Sequence, residues 1–151
     1  MLSDVYNKRI LELAANIPLL DRLPAPDATA RAHSKLCGST VTVDLTMEGD
    51  TVTGFGHEVK ACALGQASSS IMARHVVGAT AEELRDVREQ ALAILKGNGE
   101  LPEGKWADLA VLVPVRDYKA RHASTMLTFD AVVDAISQIE AKRRQPESLT
   151  S

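Results

Sequence analysis

The chain begins with a segment whose apolar residues repeat at the period of a helix. They are spaced by four, three and four residues: Tyr6, Ile10, Leu13 and Ile17. This spacing predicts one buried helix face, with Ser3 as the N-cap. Pro24 and Pro26 then mark a loop, because proline interrupts regular structure.

Alternation of apolar and polar side chains predicts three strands after this loop. The strands cover residues 28–33, 40–47 and 51–60. Glu48-Gly49-Asp50 predicts a tight antiparallel hairpin between the second strand and the third. Gly54 and Gly56 predict a bulge in the third strand or a close approach of another backbone segment.

From Cys62 onward the apolar residues return to a helical period. One helix is predicted from Cys62 to Gly78, and a capping box of Thr80 and Glu83 starts a second helix. We expect a short helix around Trp106 that stops before Pro114. The last long helix carries the apolar residues Met126, Phe129, Val133, Ile136 and Ile139.

This order of elements predicts an α+β fold. An N-terminal helix precedes a small three-stranded antiparallel sheet, and further helices pack on one face of that sheet. The length of 151 residues fits one domain, which we place at residues 1–142. Residues 143–151 are predicted to form a flexible tail.

Composition excludes several classes of function. A net charge of −3 provides no basic field for nucleic acid, and aromatic residues at 3% are too few for base stacking. No apolar run is long enough to span a membrane. The sequence carries no signal-peptide pattern, and its two cysteines fit a reducing compartment, so we expect a cytoplasmic protein.

The two cysteines are the candidate chemistry. Cys37 is followed by Gly38 and Ser39, and Cys62 lies where the third strand gives way to a helix. A helix N-terminus favours the thiolate form of a cysteine, which binds soft metals and acts as a nucleophile. Two thiols cannot complete a four-ligand metal site alone. Burial of each as a small hydrophobic residue is the alternative interpretation.

These residues resemble the NifU/IscU-type (SufU-like) iron–sulfur cluster assembly scaffolds. The likeness rests on Leu36-Cys37-Gly38, on Cys62 about 25 residues later, and on Ala67-Ser68-Ser69-Ser70 downstream. It extends from Asp4 to Ile136 and implies the same α+β fold. It also implies a non-enzymatic role in cluster assembly with a cysteine desulfurase and other assembly or acceptor proteins.

The chain departs from the family pattern at two ligand positions. The resemblance implies that Ser39 replaces an aspartate and that Ser124 replaces the third cysteine. A neutral hydroxyl is a poor ligand for a soft metal. His122, two residues before Ser124, is the histidine we select as a substitute ligand. His33 and His57 are weaker candidates, and His75 is expected at the surface.

The leading hypothesis is a scaffold or carrier that binds iron or a cluster, such as [2Fe-2S], through Cys37 and Cys62. A homodimer with a bridging cluster would provide two thiolates from each chain. The alternatives are a sulfur acceptor or sulfurtransferase that works with a cysteine desulfurase, a zinc-binding protein, and a regulatory module without cluster chemistry or cofactor.

Overall fold

A computed structural model of the chain describes residues 4–35, 38–97 and 99–144, with side chains from Lys8 onward. The regular elements are, in chain order, α1 (Asp4–Ala15), β1 (Ala28–His33), β2 (Thr40–Glu48), β3 (Thr51–Lys60), α2 (Ala63–His75), α3 (Ala81–Leu95), a succession of 3₁₀ turns (Gly104–Asp117), a further 3₁₀ turn (Lys119–Arg121) and α4 (His122–Arg144). The predicted α+β fold is therefore confirmed. The expected N-cap Ser3, the side chain of Tyr6 and the first cysteine, Cys37, lie outside the described part.

The three strands form one antiparallel sheet in the order β1-β2-β3. Val43 in the central strand pairs with Ala30 on one side and with His57 on the other. The apolar side chains of β2 point to one face, where α4 covers β1 and β2 and completes the core. Alternation along the sequence thus separates the buried face of the sheet from its outer face.

The two glycines of β3 have the role that their position predicted. The register shifts between Thr46 and Met47, opposite Gly54, which is the expected irregularity. A Cβ on Gly56 would lie 2.2 Å from the carbonyl oxygen of Asp21. The segment between α1 and β1 therefore crosses the sheet at Gly56, where no side chain could be accommodated.

This connecting segment, residues 16–27, is fixed to the edge strand β3. The backbone N–H of His57 donates to the Leu19 carbonyl at 3.2 Å, and the His57 ring donates from Nε2 to the Pro18 carbonyl at 2.9 Å. Leu19 has a φ of 58°, a left-handed conformation that costs free energy for a residue with a Cβ. These bonds hold Leu19 in that conformation and cover the edge of the sheet.

Asp44 is the polar centre of the outer face. Its carboxylate is fully buried and accepts hydrogen bonds from Arg22 Nε at 2.6 Å and Nη2 at 3.0 Å. It also accepts from the Leu23 backbone N–H at 3.0 Å and from the Thr29 hydroxyl at 2.6 Å. One carboxylate thus connects the central strand, the connecting segment and β1.

The predicted short helix around Trp106 does not stop before Pro114. The 3₁₀ turns continue through Pro114 to Asp117. We attribute the wrong boundary to an α-helical assumption: proline lacks an N–H, but a chain of short turns depends less on an unbroken hydrogen-bond ladder than an α-helix does. The turns place Trp106 against α2 and α3, where its indole N–H donates to Glu83 at 2.7 Å.

The last helix is longer than its apolar pattern indicated. It begins at His122 and ends at Arg144, so Arg143 and Arg144 are helical although we assigned them to the tail. The Arg143 guanidinium donates to the carbonyls of Gly49 and Met47. These bonds attach the last turn of α4 to the β2–β3 hairpin, a long-range contact that local sequence does not reveal.

We predict that Asp44→Asn lowers the free energy of unfolding by about 2 kcal/mol, because it removes the charge that Arg22, Leu23 and Thr29 jointly stabilise. The expected loss is below that of a fully buried ion pair, since the Arg22 side chain is 45% exposed. Urea denaturation followed by Trp106 fluorescence measures it. Glu58→Gln, an exposed acid on β3, is the matched control and should change stability by under about 0.5 kcal/mol.

The same carboxylate predicts a pH dependence of stability. Burial alone would raise the pKa of Asp44, but the bonds from Arg22, Thr29 and Leu23 outweigh burial and hold the pKa below its ordinary value of 3.8. Because the pKa of Asp44 is lower in the folded chain than in the unfolded chain, its ionised carboxylate stabilises the fold at pH values above the ordinary pKa. This contribution is lost as the pH falls through the pKa of the folded chain. Stability measured from pH 6 to pH 2 should therefore fall less steeply in Asp44→Asn than in the natural chain; equal slopes would contradict this assignment.

Candidate functional site

Cys62 lies in the two-residue connection between β3 and α2. It is the N-cap of α2, with φ of −68° and ψ of 174°, and it is half-buried. Its side chain makes no capping bond to the helix. The thiol therefore does not cap α2, although the backbone of Cys62 begins that helix.

Ser124 is the neighbour of Cys62 across the helix interface. The Cys62 Sγ and Ser124 Oγ atoms are 3.5 Å apart, and Ser124 is fully buried in the first turn of α4. Its hydroxyl also donates to the Arg121 carbonyl at 3.2 Å. Because a hydroxyl has one proton, a Cys62 S–H can donate to Ser124 while that bond persists. Rotation of the hydroxyl would instead direct its proton at the sulfur.

Gly65 allows the N-terminus of α2 to approach the N-terminus of α4. A Cβ at this position would lie 2.7 Å from the Ala61 Cβ and 3.2 Å from the Ser124 carbonyl oxygen. Both distances are shorter than normal contacts between such atoms, so only glycine permits this approach. Gly65 was not among the predicted site residues, although a glycine within the first turn of a helix after a cysteine was the available signal.

Ser39 lies just before the start of β2, at the same end of the sheet as Cys62. Thr40 pairs with Lys60 across β2 and β3, so Ser39 precedes the paired position by one residue and Cys62 follows it by two. Ser39 is buried, and its carbonyl accepts from the Ser34 N–H at 2.9 Å. The predicted first ligand, Cys37, belongs to this turn in sequence but lies outside the described residues.

His122 opens α4 two residues before Ser124. Its Nε2 lies 3.1 Å from the carbonyls of Val115 and Arg116. Both partners are acceptors, so Nε2 carries a proton and only Nδ1 could bind a metal. The role of His122 as a ligand therefore stays a prediction, now restricted to one nitrogen.

The side chains of the other three histidines contact residues of the fold and not Cys62 or Ser124 in the contacts described. His57 is fully buried, and burial lowers its pKa more than the bond to Pro18 raises it, which keeps the ring neutral inside the core. The His33 ring contacts the Thr40 hydroxyl at 3.2 Å. His75, which we expected at the surface, is half-buried there, and its ring lies 5.5 Å from that of Trp106 because the 3₁₀ turns pack against α2.

Three exposed cations lie near Cys62 and Ser124 in the sequence, and one of them, Lys60, pairs with the exposed Glu58 carboxylate at 3.5 Å. Lys60 precedes Cys62 by two residues and has a side chain that is 75% exposed. Lys119 and Arg121 are exposed in the turn that leads into α4. Positive charge near a sulfur site attracts anions, in contrast to the net charge of −3 of the whole chain.

Within the described ranges, no three residues among histidine, cysteine, aspartate and glutamate are grouped so that they could hold a metal ion. The described residues thus supply part of a donor set: the Cys62 thiol, with the Ser124 hydroxyl beside it. A metal bound at Cys62 would need further ligands, for which the sequence offers Cys37 and His122.

Comparison with known proteins assigns the family. The family model described as the NifU-like N terminal domain matches residues 5–145. The chain belongs to this family. Its members include iron–sulfur cluster assembly scaffolds, which are not enzymes, and this agrees with the role expected from the sequence.

Individual relatives extend the comparison. The crystal structure of a nitrogen-fixing NifU-like protein (N-terminal) from Brucella abortus is 65% identical, has a TM-score of 0.88, and the match covers 92% of this chain and 96% of that one. The iron–sulfur cluster assembly scaffold protein IscU of Thermotoga maritima is 24% identical over 135 residues, which are 89% of this chain and 94% of that protein.

A more distant structure shows the shared fold. The putative iron–sulfur cluster assembly scaffold protein for the SUF system from Fervidobacterium islandicum AW-1 is 20% identical with a TM-score of 0.79. The match covers 85% of this chain and 94% of that chain.

In the described part of this chain, no helix is both long and apolar enough to cross a membrane.

We predict that Gly65→Ala destabilises the fold and separates Cys62 from Ser124. Alanine would gain about 1 kcal/mol of helix propensity, but the clash with Ala61 should cost more, for a net loss of about 1–2 kcal/mol. Urea denaturation measures this loss. The double variant Ala61→Gly with Gly65→Ala removes the closest contact and should recover part of it; if Gly65→Ala alone were stabilising, the close approach would be refuted.

Proposed function

We propose that this chain is a scaffold or carrier that holds iron or an iron–sulfur cluster as cargo, through the thiolates of Cys37 and Cys62. The observation that carries the proposal is the 3.5 Å separation between Cys62 Sγ and Ser124 Oγ, two family ligand positions that are distant in sequence. Ser39, a third such position, lies at the same end of the sheet. Membership of the scaffold family supports the same role.

The atoms present fit a soft metal only in part. A sulfur and an oxygen bound to one tetrahedral ion at about 2.3 and 2.0 Å would lie about 3.5 Å apart, which agrees with the observed separation. Iron–sulfur clusters, however, are held mainly by thiolates, and a neutral hydroxyl binds iron weakly. We infer that Ser124 offers an oxygen beside Cys62 but would hold the cargo less firmly than a cysteine would.

The missing ligands are proposed to come from a second protomer. Two chains that each supply Cys37 and Cys62 provide the four thiolates of a bridging [2Fe-2S] cluster. Such a cluster is anionic, so the exposed Lys60, Lys119 and Arg121 would favour its binding. His122 through Nδ1 is the alternative ligand within one chain, and zinc is the alternative metal.

Anaerobic reconstitution with ferrous iron and sulfide tests the proposal. We expect bound iron, thiolate-to-iron charge-transfer absorption, and a dimer mass that appears only with the cluster. Cys62→Ser should reduce iron content by at least about tenfold, because it removes a ligand. His122→Gln decides between the ligand sources: loss of iron supports His122, and unchanged iron supports the second protomer. A monomer without iron, in the natural chain, would refute the scaffold role.

We further predict that Ser124→Cys increases the retention of iron. The substitution places a second thiolate beside Cys62, where the existing separation already suits two ligands of one ion. The half-life of bound iron against a chelator should lengthen relative to the natural chain. Thr125→Cys is the matched control: Thr125 is also buried in the first turn of α4 and also donates to the Arg121 carbonyl, but the hydroxyl beside the Cys62 sulfur is that of Ser124. Equal half-lives in all three proteins would count against Ser124 as a ligand position.

A sulfur acceptor is the second candidate function. It is favoured by the half-buried Cys62 thiol, which makes no helix-capping bond and has a hydroxyl at 3.5 Å that can donate to a bound sulfur. The Cys62 thiolate would attack the outer sulfur of the persulfide that a cysteine desulfurase forms from its cysteine substrate; the S–S bond of that persulfide breaks, and the desulfurase thiolate leaves. Mass spectrometry should then find a persulfide at Cys62 or Cys37, and its absence at both would exclude this function.

The proposed partners follow from the scaffold family. We propose that the chain works in the cytoplasm with a cysteine desulfurase and with other cluster assembly or acceptor proteins. A regulatory module without cluster chemistry is the remaining alternative. It would be favoured if the double variant Cys37→Ser with Cys62→Ser kept its binding to those partners without binding iron.

A further inference from the structure

The connection that carries Cys62 is short, and its two carbonyls accept hydrogen bonds from Gln66. Only Ala61 and Cys62 link the end of β3 to the start of α2. The backbone N–H of Gln66 donates to the Cys62 carbonyl at 2.9 Å, and the Gln66 side-chain amide donates from Nε2 to the Ala61 carbonyl, also at 2.9 Å. Both carbonyls of the connection are thus bonded to Gln66.

The two bonds differ in what they require of residue 66. The backbone bond is the first i to i+4 bond of α2, which any residue except proline can make. The side-chain bond needs a donor that can reach back over a full turn of the helix. A glutamine amide has that length and donor, and a half-buried position protects the bond from competing water.

The side-chain bond fixes the peptide group before Cys62. Holding the Ala61 carbonyl fixes the plane of the peptide between Ala61 and Cys62, and so restricts the direction in which the Cys62 side chain leaves the backbone. Gly65 packs closely on Ala61, where a Cβ at residue 65 would lie 2.7 Å from the Ala61 Cβ, and this packing also restricts the connection. The resulting direction brings Sγ to 3.5 Å from Ser124.

We propose that Gln66 is a positioning residue for Cys62: its side-chain amide holds the strand-to-helix connection so that the thiol stays directed at Ser124. This inference rests on the proposed function in that an oriented thiol matters for binding cargo or accepting sulfur. The geometry of the connection itself does not depend on iron.

The first experiment contains no metal. In a Cys37→Ser background, which leaves Cys62 as the single thiol, Gln66→Met removes the donor with little change in size. Loss of one hydrogen bond should raise the open population of the connection, and alkylation of Cys62 by iodoacetamide should become about five times faster. Gln90→Met, the same change at an exposed site on α3, should react like its parent.

Global stability is separated from local opening by a second control. Val87→Ala creates a cavity in the buried face of α3 and lowers the unfolding midpoint without touching the connection. Its alkylation rate should match that of the parent. If Gln66→Met reacts no faster than the parent, or if Val87→Ala accelerates alkylation equally, the positioning role is overturned.

The second experiment uses Co²⁺ alone as a spectroscopic probe of thiolate binding, with Cys37 intact. The thiolate-to-cobalt charge-transfer absorption should titrate at several-fold higher metal concentration in Gln66→Met than in the natural chain or in Gln90→Met. Faster alkylation with no cobalt signal in any variant supports the positioning role while counting against metal binding. A strong and identical cobalt signal in all variants overturns the positioning role and leaves metal binding supported.

Discussion

The buried carboxylate of Asp44 is the interaction on which the arrangement of the sheet depends. A charge removed from water is costly unless hydrogen bonds replace hydration, and Asp44 receives such bonds from Arg22, Leu23 and Thr29. These partners come from the connecting segment and from β1. The requirement to satisfy one carboxylate therefore fixes how residues 16–27 cross the sheet and enter β1. It also joins the central strand to β1, since Asp44 pairs with Thr29, whose hydroxyl donates to the carboxylate.

The pairing of β2 with β3 determines which residues meet at the end of the sheet. With Thr40 opposite Lys60, the turn containing Ser39 and the connection containing Cys62 leave the sheet side by side. The approach of α2 to α4 at Gly65 then adds Ser124. The site is thus assembled from three connections whose positions are fixed by the pairing of β2 with β3 and by one glycine contact. In the site that we propose, the Ser124 hydroxyl occupies this position beside Cys62, and a neutral hydroxyl is a weak ligand for a soft metal.

The sequence predicted the regular elements better than the contacts between them. β1 and β3 have the predicted bounds, because alternation and the Glu48-Gly49-Asp50 turn are local signals. Thr80 caps α3 as its pattern indicated. Two limits differ from the predicted ones: the 3₁₀ turns continue to Asp117, and α4 includes Arg143 and Arg144, the first two residues of the assigned tail. The first depends on packing against α2 and α3, and the second on bonds from Arg143 to a hairpin that is distant along the chain.

The sequence by itself determined the α+β fold class, the strand bounds and the two cysteine positions, and its resemblance to the scaffold family led to Ser124. It could do so because period, turn residues and short motifs are properties of neighbouring residues. Only the tertiary structure decided that Asp44, one polar residue among several on an alternating strand, is buried, that Cys62 faces Ser124, and that Gln66 holds the connection before Cys62. These facts depend on distances between segments far apart in sequence, which are set by the packing of the whole core and not by any local pattern.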